Sequence, residues 1–401
     1  MFKRLFLWSF ILIMNLIFVF VVGEIYARAK HGGMLAVKAQ DALYRRADFD
    51  MHHSLVPDGK GRSVSKEWDV VYSINSFGLR DREYAEEKGA NVFRILMLGD
   101  SYTEGYGIRI EDTFVKIFEE KLHKMPFGER EYEVINAGVS SYSPLLEYLY
   151  LVKRGLRLAP DMAVLFYDFG DIKDDYEYEK TTIFDPEGVP VRSFPMKRVR
   201  AFSSNPIENF LVKHSRFYLY IENKINKLLY KLRKIGVDRY LRDNISGREH
   251  DLSLFEKDES LEGDRFYVFR EKNGEEVRKR WQRNEKYIDL IYKILKEKNI
   301  PFILVTYPSP MEVGETEWSE GRQEYGFQTG RVYSEPAVVG FMKEYAEKND
   351  IPFINLYPYF AESGIYPLYF DFDGHFNGDG HRVAAEGLFD ELKEVLLSSE
   401  E

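Results

Sequence analysis

Apolar and polar positions divide this chain into a long apolar head, a mixed stretch, and a strand–helix alternation broken once in the middle. After the basic start Met1-Phe2-Lys3-Arg4, residues Leu5 to Val22 are apolar except for Ser9 and Asn15. As a helix this run would be about 27 Å long, close to the thickness of a bilayer's hydrocarbon core. Positive charge ahead of it favours an N-terminus in the cytoplasm and the remainder outside. Ala27-Arg28-Ala29 has the small residues of a signal-peptide cleavage site. However, the run exceeds a usual signal core, and Glu24, Tyr26 and Arg28 crowd that site. Residues 1–23 are therefore expected to be an uncleaved single-pass signal anchor, with the rest periplasmic or extracellular.

Residues 24–90 carry few long periodic segments and are expected to form a stalk and N-terminal extension, including the turn-like Ile74-Asn75-Ser76-Phe77-Gly78-Leu79-Arg80. The pattern then predicts a strand at 93–99, a helix at 112–124 capped by Asp112, a strand at 133–139 and a helix at 144–156 opened by Pro144. A third strand follows at 161–167. Regularity is lost over 176–275, apart from an amphipathic helix expected near 207–234, so that stretch reads as an inserted cap or lid. Beyond it the pattern predicts a helix at 276–299 with Trp281, Tyr287, Ile288, Ile291 and Leu295 at helical spacing. Strands at 301–307 and 352–356 and helices at 336–348 and 380–397 complete it. Strands alternating with helices predict an α/β fold, its first half at 91–175 and its second at 276–401. Its central parallel sheet is wrapped on both faces and carries its site at the strands' carboxyl ends.

Composition narrows the chemistry. The 401 residues have a formal net charge of −10 with both signs spread along the chain, unlike the concentrated basic stripe that nucleic acid requires. With no cysteine, disulfides, thiolate nucleophiles and thiolate metal sites are excluded.

The candidate chemistry lies at two distant places. Gly99-Asp100-Ser101 follows the apolar run Phe93–Leu98 and precedes Gly105 and Gly107, so a tight turn presents a serine where backbone can approach a ligand. The phosphate-loop pattern is absent, and Thr103 replaces the second glycine of the Gly-x-Ser-x-Gly elbow. Near the other end stands Asp371-Phe372-Asp373-Gly374-His375. A carboxylate on one ring nitrogen of His375 would leave the other free to take the Ser101 proton. Asp373 is the expected orienting residue, with Asp371 as the alternative. As a calcium loop this segment fails, having Phe376 and Arg382 where glycine and glutamate belong. His381 falls in the first turn of the last helix. Gly138, ending the second strand, offers a backbone N–H to an oxyanion beside that of Ser101.

In this order the pieces resemble the SGNH (GDSL-type) hydrolase family: Gly99-Asp100-Ser101 as its first block, Gly138 as its second and Asp373-Gly374-His375 as its last. The resemblance covers about 70–175 and 300–395, and Asn75, Gly78 and Arg80 ahead of the serine strand are similar to a membrane-anchored branch. It implies a flavodoxin-like three-layer sandwich and a serine esterase or acyltransferase working through Ser101, His375 and Asp373, without metal or organic cofactor. It also implies ester-bearing small-molecule, glycan or lipid substrates. Two departures stand out. Gly170, within Asp168-Phe169-Gly170-Asp171, occupies the position of the family's oxyanion-binding asparagine. Losing one such donor costs about 2.7–4 kcal/mol of transition-state stabilisation. Asn136 or a backbone N–H would have to replace it, or activity would be low or altered. Second, Asp-x-His replaces the commoner Asp-x-x-His, as in branches that act on envelope polysaccharides. The leading expectation is a membrane-anchored esterase acting on envelope glycans or lipids. The alternatives are an O-acyltransferase of surface polysaccharide and a catalytically degenerate binding module.

Overall fold

A computed structural model describes residues 2–41, 44–125, 130–195, a few positions between 210 and 225, 264–271 and 273–398. It opens with helix α1 (Phe2–Asp41), whose segment Trp8–Ala29 has a mean hydropathy of 2.3 and is long and apolar enough to cross a membrane. Two antiparallel pairs follow: β1 (Arg45–Asp48) with β2 (His52–Leu55), and β3 (Lys60–Val64) with β4 (Asp69–Ser73). From these and from the turn joining β1 to β2, Met51, Leu55, Val70 and Tyr72 enter the main core. The packing part of the extension is thus a set of short strands.

The central architecture begins with β5 (Val92–Leu98), the short helix α2 (Ser101–Glu104) and α3 (Phe114–His123). After these come β6 (Glu131–Asn136), α4 (Pro144–Lys153), β7 (Met162–Tyr167) and α5 (Asp171–Glu179). A hairpin, β8 (Thr182–Phe184) with β9 (Pro190–Ser193), opens the segment expected as a cap. Beyond it lie α6 (Gly274–Glu297), β10 (Phe302–Thr306), α7 (Ala337–Asn349), β11 (Phe353–Asn355) and α8 (Gly378–Ser398). The helix expected over 207–234 falls largely outside the described residues.

The sheet is wholly parallel, in the order β11-β10-β7-β5-β6. Renumbered along the sheet strands, this is 2-1-3-4-5, the flavodoxin-like order. Successive side chains of a strand point to opposite faces, and here they feed two cores. Leu96, Leu98, Ile135 and Leu165 join α4, α6 and α7. Ile95, Met97, Val134 and Val164 join α3 and α8. Burying both faces explains why β5 and β7 are almost unbroken apolar runs. α6 docks through Trp281, Tyr287, Ile288, Ile291 and Leu295, all nearly inaccessible. Each such aliphatic side chain contributes about 1.5–3 kcal/mol. The expected three-layer α/β sandwich is therefore the one observed.

One cap differs from expectation. Thr113, not Asp112, caps α3, its hydroxyl accepting from Lys116 N–H. Asp112 lies in the preceding single turn and pairs instead with Arg109 at 2.7 Å.

The Asn75–Arg80 segment also acquires a physical role. Asn75 Oδ1 accepts from the N–H groups of Phe77 (3.0 Å) and Leu79 (2.9 Å), while its amide donates to Arg82 O at 2.7 Å. Gly78 takes a φ of +77°, which disfavours other residues. This turn delivers Arg80 beneath the serine helix. Its guanidinium donates to the carbonyls of Glu104 (2.9 Å), Gly105 and Ile108 and lies 3.8 Å from the Tyr72 ring centre. All three carbonyls belong to buried residues. Gly105 O also accepts from Ile108 N–H at 3.2 Å, so Arg80→Ala would strand the carbonyls of Glu104 and Ile108, at about 1–3 kcal/mol each where no water replaces the donor. A loss of at least about 2 kcal/mol is expected, read as a lower urea midpoint; an unchanged midpoint would refute the clamp.

Candidate active site

Strand β5 lies between β6 and β7, so the chain leaves its carboxyl end at the switch point where open parallel sheets form their crevice. Gly99 turns there with no room for a side chain, since a Cβ would lie 2.2 Å from Thr103 Oγ1. Asp100 caps α2, its Oδ1 accepting from Tyr102 N–H (2.9 Å) and from the Tyr307 hydroxyl (3.2 Å). Burial, helped by the Asp168 charge, pushes the Asp100 carboxyl up to about 7. Ser101 then occupies the first position of α2, and its backbone N–H meets no acceptor among the described residues.

The histidine arrives on the loop leading into α8. Gly374 has a φ of +89°, and the loop is closed by Phe370 N–H to His375 O at 2.8 Å. Glu67, from the β3–β4 turn, accepts the N–H groups of Phe372 (2.9 Å) and Asp373 (3.0 Å). The Tyr102 hydroxyl donates to Gly374 O at 3.0 Å, tying this loop to the serine helix.

Ser101 and His375 meet. The Ser101 hydroxyl donates to His375 Nε2 at 2.7 Å, and His375 Nδ1–H donates to Asp373 Oδ1. Burial disfavours the charged imidazolium, but the charge and hydrogen bond of Asp373 outweigh it and hold the His375 pKa above its usual value. Burial acts upward on Asp373, yet the facing histidine holds that carboxyl below its usual range. Such a chain can draw a proton from the serine oxygen toward an oriented ring.

The other expected residues separate. Asp371 Oδ1 accepts from Ser319 N–H and hydroxyl, both at 2.6 Å, and does not orient His375. His381 lies in the first turn of α8, where its Nδ1 accepts Phe114 N–H at 3.1 Å and burial pushes its pKa down to about 3. It joins α8 to α3. Gly138 N–H donates to Asn136 Oδ1 at 3.0 Å, and Asn136 Nδ2 donates to Thr103 O at 2.8 Å. Both ends of Asn136 are thus engaged, so it is not the substitute donor considered from sequence. Gly138 is a glycine because a Cβ would lie 2.3 Å from Glu104 N. Gly170 N–H donates to Asp168 Oδ2 at 3.1 Å. Of the three expected oxyanion positions, only Ser101 presents an unengaged N–H.

The wall of the groove leaves no local signal in the sequence. Arg45 of β1 donates to Glu104 Oε1 (2.6 Å) and Ser140 Oγ (2.8 Å), joining the extension to the serine helix. The cavity beside Ser101 has a volume of about 790 Å³; Arg45, His52, Ser140, Lys173 and Arg265 help to line it. These residues come from segments far apart in the chain, with no local motif to announce them.

No family model and no curated protein sequence matches the chain. Among solved structures it is similar to a GDSL-like lipase from Bacteroides thetaiotaomicron, at 14% identity over 75% of this chain and 88% of that one, with a TM-score of 0.34. A catalytic mutant of an acetylxylan esterase from Geobacillus stearothermophilus shows 12% identity over 75% and 94%, with a TM-score of 0.35. Another acetyl xylan esterase shows 14% identity over 74% and 98%, with a TM-score of 0.36. At these scores the functional reading rests on the site's own geometry and on the motifs that compose it.

Proposed function

We propose that this chain is a serine esterase of the SGNH type, tethered through Trp8–Ala29 with its body outside the cytoplasm. Its substrates are acyl or acetyl esters on envelope glycans or lipids. One observation carries the reading: the 2.7 Å contact between Ser101 Oγ and His375 Nε2, with Asp373 on the far ring nitrogen. Ser101 Oγ attacks the ester carbonyl as Nε2 takes its proton, and Asp373 steadies the imidazolium. The oxyanion meets Ser101 N–H; Gly138 N–H joins only by turning away from Asn136. His375 then protonates the leaving alcohol, and an acyl-serine remains. Water attacks it, giving its proton to His375, and the acid departs from a restored serine. The basic residues ahead of the apolar helix support the orientation, and the polar groove wall suits hydroxyl-rich ligands.

The test is 4-nitrophenyl acetate with the full chain in detergent, followed by mass analysis of products with an oligosaccharide present. Release of nitrophenol and free acetate above background is expected. An acetylated oligosaccharide without free acid would make the protein a transferase. Absence of both turnover and fluorophosphonate labelling would leave a binding module.

A further inference from the structure

The groove holds a cation that the reaction just described does not use. Three basic side chains line the cavity beside Ser101: Arg45, Lys173 and Arg265. Arg45 is engaged by Glu104 and Ser140, and Lys173 pairs with Asp174 at 3.2 Å. Arg265 differs. Its guanidinium makes no hydrogen bond or ion pair among the described residues, although it feels the charges of Asp168 and Asp174. It lines the same cavity as Ser101, Asp168, Asp373 and His375.

Its position relates directly to the missing donor. Gly170 has φ −65° and ψ −21°, ordinary helical backbone that any residue adopts, so the chain conformation does not require glycine there. A Cβ at Gly170 would lie 2.7 Å from Asp168 Oδ2 and 3.9 Å from Arg265 Nη2. The guanidinium thus borders the volume a longer side chain at 170 would enter. An asparagine at 170 and the arginine from 265 are alternative ways to bring N–H donors to one place.

We propose that Arg265 supplies the oxyanion donor that Gly170 lacks, so that the tetrahedral oxygen is held between Ser101 N–H and the guanidinium. The assignment rests on the esterase reading above. The balance of the step is simple. As the Oγ–carbonyl bond forms, the serine proton passes to His375, the carbonyl π electrons move onto oxygen, and Arg265 donates hydrogen bonds without losing a proton. An arginine presents five N–H groups and a permanent charge, and charge-assisted hydrogen bonds are roughly twice as strong as neutral ones. Its attraction is larger for the oxyanion than for the neutral carbonyl, so it acts on kcat rather than on binding. Since Arg265 stands near the end of the inserted segment, that segment contributes to the reacting centre itself.

The experiment uses the full chain in detergent with 4-nitrophenyl acetate. Arg265→Ala is expected to lower kcat by about 10²–10³-fold, the usual loss for one oxyanion donor, with KM within about threefold of wild type. Arg265→Gln, which keeps an amide donor on a long stem, should fall between the two. Millimolar guanidinium, far below denaturing concentration, should restore at least tenfold of the loss in Arg265→Ala. A kcat within threefold of wild type in both variants, or a loss confined to KM, would overturn the assignment. The two readings fail separately. If wild type neither turns over the ester nor labels at Ser101, the esterase reading falls and takes this one with it. If wild type works and Arg265→Ala matches it, only Arg265 is reassigned.

Discussion

Ser101→Ala is expected to lower ester turnover by up to about 10⁶-fold, to background, and to abolish fluorophosphonate labelling. The size follows from the position of Oγ. It lies at the carboxyl end of β5, where the sheet order opens a crevice, and it bonds His375 Nε2 at 2.7 Å. Among the described residues no other hydroxyl bonds that nitrogen, so no neighbouring group inherits the role. His375→Ala should fall by a similar factor, and the double variant should lose little more, because serine and base act as one unit. Rates would be followed by nitrophenol release and labelling by in-gel fluorescence. Labelling that survives in Ser101→Ala would remove this serine from the chemistry. The Arg80 clamp adds a control: Arg80→Ala should act first on stability, because its partners are the carbonyls of Glu104, Gly105 and Ile108 rather than the reacting atoms.

What was legible in the sequence follows from how far each signal extends along the chain. β5, β7 and α6 were readable because burial on both faces, or along one stripe, leaves a continuous local pattern. The pairs β1–β2 and β3–β4 were not. Strands such as Arg45-Arg46-Ala47-Asp48 and His52-His53-Ser54-Leu55 have too few inward apolar positions to show a period of two. Asp112 looked like a cap because its residue type fits, but the competing pair with Arg109 and the following Thr113 decide the matter. Ser101, Asp373 and His375 were recognisable because a turn, a spacing and an order survive in one dimension. The engagement of Gly138 with Asn136 and the nearness of Arg265 to Gly170 depend on loop conformation and tertiary packing, which leave no trace in spacing. The absence of an asparagine at 170 is visible in one dimension; the arginine beside that position is not.

Asp373→Asn is expected to lower kcat by about 10⁴-fold while leaving Ser101 and His375 in place. Asp373 accepts the Nδ1 proton of His375, which keeps Nε2 free to accept from the serine. An asparagine that turns its NH₂ toward Nδ1 would favour the opposite tautomer, with the proton on Nε2 and no base for Ser101. The pH profile separates this from general damage. In the proposed mechanism the working base is the neutral ring, so kcat/KM is expected to rise with pH through the His375 pKa. In wild type that limb lies above 6.5, because the Asp373 charge and hydrogen bond outweigh burial. Removing the charge leaves burial, which disfavours the imidazolium and is opposed then only by the more distant charge of Asp100, so the limb of Asp373→Asn should move to lower pH even as the plateau collapses. Arg265→Ala should move it the other way, since the guanidinium opposes protonation of the same ring. An unmoved limb in Asp373→Asn would mean that another carboxylate orients His375. Asp371, held by Ser319 at 2.6 Å, would have to leave that partner to do so.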